Sequence, residues 1–302
     1  MLKPLRHPGA LAVTLAAAGV LMVTMGTRQS LGLFLSPINS STGLGMASIS
    51  LAMAVAQFTW GAIQPLAGAA ADRWGPRPVL IAGIVLLALG NALTPLMGSS
   101  WGLVFSLGLL AAIGSGAGSF SVLIGAAAQR LPMAARGTAS GVINAGGSLG
   151  QFVFAPLAQL LIQVQGWMGA MYSLAVTTLL ALPLVGQLTR GQPARHDAVE
   201  GADAGLRATL RGALGDRSYL LLHAGFFTCG FHIAFLVTHL PTEVDLCGLP
   251  ASVASWSLAL IGLSNIVGSL WVGHLVGHHR SKMILALMYG SRALLVLVYL
   301  LL

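Results

Sequence analysis

Residues 68–79 read "GAAADRWGPRPV" and stand between two long apolar runs. Only 7% of the 302 residues are charged, yet Asp72, Arg73 and Arg77 fall within six positions. A soluble domain carries about 25% charged residues. A chain that is 56% hydrophobic, with mean hydropathy +0.85, cannot cover its surface with polar groups in water. The flanking runs therefore read as membrane spans, and the stretch as a solvated connection between two of them. Gly75 and Pro76 make the tight turn that two antiparallel spans need.

Working outward, nine apolar spans are expected, at 10–36, 47–71, 79–97, 102–128, 137–164, 169–188, 218–240, 251–276 and 283–302. Each is near or above the roughly 20 residues that cross a bilayer. They should be α-helices, because backbone groups in lipid must be satisfied within the segment. None alternates with period two, which argues against a β-barrel. The first span follows Lys3 and Arg6 but is longer than a signal-peptide core and lacks an obvious cleavage site, so it reads as a retained helix. The 39 glycines suit helices packed closely in lipid. The formal net charge of +8 does not point to nucleic acid, since the basic residues sit singly in short gaps and form no patch.

Charge placement sets an orientation. With a cytoplasmic N-terminus, the inside segments hold Lys3, Arg6, Arg73, Arg77, Arg130, Arg136, Arg190, Arg195, Arg207, Arg211, Arg217, Arg280 and Lys282. The outside loops, near 37–46, 98–101, 165–168 and 241–250, hold no Lys or Arg. Thirteen against zero is the positive-inside pattern of a multi-pass protein, expected in the cell (inner) membrane. Six spans precede the longest polar segment, 189–217, which mixes five of these Arg with four acids as a solvated linker does. The expected organisation is a six-helix half (1–188), a cytoplasmic linker (189–217) and an incomplete second half with three helices (218–302).

The opening stretch resembles the cytoplasmic loop of the major facilitator superfamily, G-x-x-x-D-R-x-G-x-R, with Gly68, Asp72, Arg73, Gly75 and Arg77 at its positions. The resemblance implies a gating latch on the cytoplasmic side and an all-α polytopic bundle of twelve helices, of which about nine are present. Asp72 would sit at a helix C-terminus, where the dipole disfavours a negative charge, so a cationic or N–H partner such as Arg73 or Arg77 is expected. A shift of 205 residues lays Gly68 on Gly273, Arg73 on His278 and Arg77 on Lys282, an internal repeat whose acid is replaced by Gly277. "RGTASGVINAGGSLGQFVFAP" (136–156) is similar to the monocarboxylate-transporter-like branch through Ala139, Gly141, Ala145, Gly146, Ser148 and Gly150. That branch implies a small monocarboxylate or related organic anion as substrate.

Candidate binding residues follow from polarity inside the spans. Gly137, Gly141, Asn144, Ser148, Gln151 and Gln159 share one face of the fifth span; Asn144, Ser148 and Gln151 are the cavity candidates, with helix packing as the other reading. Arg28 lies about 18 residues into the first span, roughly 27 Å along its axis. An intramembrane Arg is costly and marks a function, the alternative being a side chain that snorkels to the outer interface. A shift of 204 lays Arg28 on His232 in the seventh span, which would put the two on opposite walls of one cavity. His239 lies two turns further on, and Arg292 lies near the middle of the ninth span.

All seven acids are expected outside the spans: Asp72 in the loop, Asp197, Glu200, Asp203 and Asp216 in the linker, Glu243 and Asp245 outside. A cavity lined by Arg and His without a carboxylate favours an anion. A proton is the second expected partner, carried by His232, His239 or the substrate. The sequence reads as a secondary-active transporter working by alternating access, not an enzyme, with no cofactor. His274, His278 and His279 lack the Cys or carboxylate that would complete a metal site. Drug or metabolite efflux is the alternative substrate reading; a truncated, non-transporting or partner-binding membrane protein is the alternative function. The oligomeric state is not readable.

Overall fold

The computed structural model describes residues 8–191, 211–212, 214–276 and 281–301, and these hold helices and turns with no strand. Lys3, Arg6, most of the expected linker (192–210), His278, His279 and Arg280 lie outside the described residues.

The first span is α1 (Pro8–Gln29), a 3₁₀ turn (Leu31–Phe34) and α2 (Leu35–Thr42). The Ser30 hydroxyl donates to Gly26 O at 2.8 Å where the helix tightens. The helical run continues to Thr42, past the expected end at 36, and stops at Gly43, whose φ of 66° favours glycine. α3 (Met46–Trp74) and α4 (Pro76–Leu93) meet at Gly75 alone, with φ 85° and Pro76 at the first helical position.

The fourth span is broken into α5 (Ser100–Leu103), a π-helical stretch (Val104–Ala111), α6 (Ala112–Ala117) and α7 (Phe120–Ala128). The Thr24 hydroxyl donates to Gly118 O at 3.1 Å, satisfying a carbonyl that the break exposes. α8 (Met133–Leu179) is two helices meeting at Gly166 (φ 71°, ψ 169°), followed by α9 (Leu182–Thr189). The expected loop at 165–168 is thus a one-residue joint.

α10 (Arg217–Leu246), α11 (Ala251–Val276) and α12 (Ser281–Leu301) complete the described chain. α10 continues six residues past its expected end, through Pro241. Glu243 and Asp245 therefore lie in the last turns of a helix and not in the outside loop expected for them, while Asp72 lies in the last turn of α3, at the helix end where it was expected. Among the described residues, seven helical runs are long and apolar enough to cross a membrane, one of them the 55-residue run Ala135–Thr189, which breaks at Gly166.

Small residues decide the packing. A β-carbon at Gly146 would lie 2.5 Å from Ala18 O, and one at Gly150 would lie 2.2 Å from Met22 O, so α1 and α8 touch backbone to backbone. A β-carbon at Gly114 would lie 2.3 Å from Leu87 N, which locks α4 against α6. Arg130 donates to Gln187 O (2.7 Å) and Leu188 O (3.0 Å), placing a cation at the carbonyl end of α9.

Candidate functional site

The site grows from the end of α1. Arg28 occupies the helix's last turn, where the carbonyl dipoles favour a positive charge. Its guanidinium carbon lies 4.0 Å from the centroid of the Trp60 ring of α3. Such a cation–π contact contributes roughly 0.5–2 kcal/mol, more as water is excluded. Among the described residues Arg28 has no carboxylate or hydrogen-bonding partner. The Trp60 Nε1 and Thr27 Oγ1 atoms are likewise buried without a hydrogen bond.

Beside the guanidinium lies a cavity of about 30 Å³, lined among others by Arg28, Gly32, Gln57, Val237 and Thr238. Its lining joins α1, the 3₁₀ turn after it and α3 to α10. A β-carbon at Gly32 would lie 2.1 Å from Val237 O. Pro241 has no N–H to offer that carbonyl four residues earlier, so Val237 O lacks its helical partner at the point of contact. One turn beyond Gly32, the Ser36 hydroxyl donates to the Asp245 carboxylate at 2.5 Å. Gln57, Met53 and Thr238 also line an adjoining chamber of about 250 Å³ with Ser50, Phe231, Phe235 and His239.

The other expected residues fall elsewhere. His232 is not across from Arg28; it accepts a hydrogen bond at Nδ1 from Arg292 Nε, and the pair lines a cavity of about 660 Å³ with Glu243. The α10 residues that line the cavity with Arg28 are Val237 and Thr238, about one and a half turns beyond His232. Gln151 is 1% exposed, at the α8–α11 contact, where a β-carbon at Gly262 would lie 3.1 Å from Gln151 Cβ and 2.8 Å from Ser148 O. Asn144 is exposed and Ser148 half-buried on the same helix. Gly137 and Gly141 have nothing within 4 Å of an added β-carbon, so the packing glycines of α8 are Gly146 and Gly150 instead.

In the 68–79 loop, Asp72 is exposed and makes no ion pair or side-chain hydrogen bond among the described residues. Arg73 lies over Trp74, 5.6 Å from the ring centroid, and Arg77 is exposed. Gly68 has open space where a side chain would be. The pairing expected for Asp72 is therefore not formed within this stretch.

Sequence reasoning missed Trp60, Gln57 and Thr238. A signal existed for two of them: Gln57 and Trp60 are three residues apart on an apolar helix, hence neighbours on one face.

Comparison with known proteins agrees with the architecture. The chain is 33% identical over 237 residues to monocarboxylate transporter 13 of Bos taurus, covering 75% of this chain and 52% of that protein. It is 27% identical over 252 residues to the oxalate:formate antiporter of Oxalobacter formigenes, covering 82% and 59%. A probable sulfoacetate transporter, SauU of Cupriavidus necator, is 28% identical over 162 residues, covering 54% and 37%. The chain spans about half the length of these relatives. Among solved structures, a bacterial homologue of the human lysosomal transporter Spinster, inward-facing and unoccupied, superposes with TM-score 0.69 at 16% identity, over 86% of this chain and 61% of that one. A D-xylose–proton symporter gives 0.64 at 16% identity, over 88% and 69%. The Major Facilitator Superfamily model matches residues 17–302, and with the helical architecture above this establishes that the chain belongs to that superfamily.

Proposed function

We propose that the protein is a secondary-active carrier of a small organic anion, working by alternating access, with Arg28 as the fixed charge that attracts the substrate. The observation that carries this reading is the Arg28 guanidinium, held on Trp60 at the rim of a small cavity between α1, α3 and α10, with no carboxylate partner among the described residues. An intramembrane cation is costly until an anion meets it. The names of the relatives, which include monocarboxylate, sulfoacetate and oxalate:formate carriers, support the same class. His239 lines the chamber next to this cavity and is the group we assign to proton response, ahead of His232, whose Nδ1 is engaged by Arg292.

The test is equilibrium binding of radiolabelled butyrate to the purified chain in lipid nanodiscs. Arg28→Gln should weaken binding at least about tenfold, as removal of one member of a desolvated charge pair does. Unchanged affinity in Arg28→Gln overturns the assignment.

We further infer a six-helix half at 1–188, a cytoplasmic linker at 189–217 and a second half from 218, with the N-terminus inside the cell membrane. The thirteen-to-zero distribution of basic residues supports that orientation. Labelling of a cysteine placed at Ala202 from outside intact cells contradicts it; labelling only after permeabilisation fits it.

A further inference from the structure

The cavity beside Arg28 is small, and its walls are specific. A space of about 30 Å³ holds little more than one or two water-sized groups. One wall cannot yield: Gly32 abuts Val237 O so closely that even a β-carbon would be 2.1 Å from it. Met53, Gln57 and Thr238 line both this space and the 250 Å³ chamber. That shared lining suits a ligand with its anionic head in the small space and the rest of the molecule in the larger one.

The donors match a planar head. A guanidinium offers its N–H groups in one plane, in a fork that fits two carboxylate oxygens. The Arg28 guanidinium carbon lies 4.0 Å from the centroid of the Trp60 ring, a contact that limits rotation of the group. Gln57 adds an amide and Thr238 a hydroxyl, each able to donate to an oxygen. A sulfonate presents three oxygens around a tetrahedral sulfur and is bulkier than a planar carboxylate, so it suits so small a space less well.

We propose that Trp60, Gln57 and Thr238 complete a carboxylate seat around Arg28. Trp60 is a positioning residue that fixes the guanidinium plane. Gln57 and Thr238 set a head size that accepts a carboxylate and rejects a sulfonate. This rests on the organic-anion reading above and adds a choice among anions that the reading leaves open.

The experiment uses the full chain in nanodiscs, radiolabelled butyrate as probe, and unlabelled butyrate or propane-1-sulfonate as competitor. The sulfonate should compete at least about tenfold more weakly, the scale of one lost charged hydrogen bond. Trp60→Leu should weaken butyrate binding about tenfold, and Trp60→Phe, which keeps a ring face under the cation, should restore it to within about threefold of the parent. Gln57→Leu and Thr238→Val should lower butyrate affinity and shrink the carboxylate preference. A merely structural role for Trp60 would not give rescue by Phe at unchanged melting temperature, so thermal unfolding is recorded for every variant. Equal competition by the sulfonate overturns the seat. So do parent-like affinity and selectivity in Trp60→Leu and Gln57→Leu while Arg28→Gln has lost binding. Butyrate binding that survives Arg28→Gln, or a parent that binds neither anion, overturns the anion reading and this inference with it.

Discussion

The helices before residue 190 and those after residue 216 pack in different ways. In the most apolar window of Ser100–Ala128, 67% of residues are buried, against 6% in that of α10. Some glycines follow this division, although Gly137 and Gly141 in the first region are open and Gly262 in the second is in close contact. Gly83, Gly90, Gly114, Gly146 and Gly150 each sit where a β-carbon would come within 3.0 Å of another segment. Gly230, Gly268 and Gly290, in the later helices, have nothing within 4 Å. The first region is held by close backbone contact, which works without a hydrophobic drive between helices in lipid. The second presents its apolar surface outward, with Phe226, Phe227 and Phe231 each more than 60% exposed. Between the regions stand the Gly32–Val237 contact, the Ser36–Asp245 hydrogen bond and the α8–α11 packing at Gly262.

The largest expected effect probes that difference directly. Gly150→Val forces a branched side chain into Met22 O and should lower stability by about 3 kcal/mol. Gly268→Val, in open space, should change it by less than about 0.5 kcal/mol. Thermal unfolding in detergent compares them, and equal shifts in melting temperature would break the contrast. Next comes the contact between regions. Gly32→Ala should drive α1 and α10 apart, and cross-linking of cysteines introduced at Ser36 and Asp245, with Cys229 and Cys247 replaced by Ser, should slow about tenfold. An unchanged cross-linking rate means that the contact is no gate. The smallest effect separates the two histidines. His239 lines the chamber beside the Arg28 cavity, and butyrate binding compared at pH about 7.5 and about 5.5 should be tighter at the lower pH. His239→Gln should flatten that profile, and His232→Gln should leave it. A parent-like profile in His239→Gln removes the assignment.

What the sequence revealed depended on which force wrote the pattern. Hydropathy placed the helices, and Gly75-Pro76 marked the turn between α3 and α4, because burial in lipid and backbone geometry both act locally. The end of α10 was not legible in this way. Pro241 reads as a stop, yet a proline near a helix end costs one hydrogen bond, and here Val237 O meets Gly32 instead. The break at Gly118 depends on a hydroxyl 94 residues away in the chain, Thr24, which no local pattern reveals. Symmetry likewise predicted that Arg28 and His232 would face each other. The structure gives His232 to Arg292 because the repeat fixes only approximate depth, while the partner is chosen by which helix lies alongside.

The joint at Gly166 has a consequence for how the protein is made. Two helices that together exceed 40 residues are linked by one residue with φ 71°, and no intervening loop separates them. A residue other than glycine at that φ and ψ costs roughly 1–3 kcal/mol. With no slack between the two helices, the chain must make its reversal at this single residue. A substitution at Gly166 should therefore register first as failed insertion, seen as degraded protein in the cell.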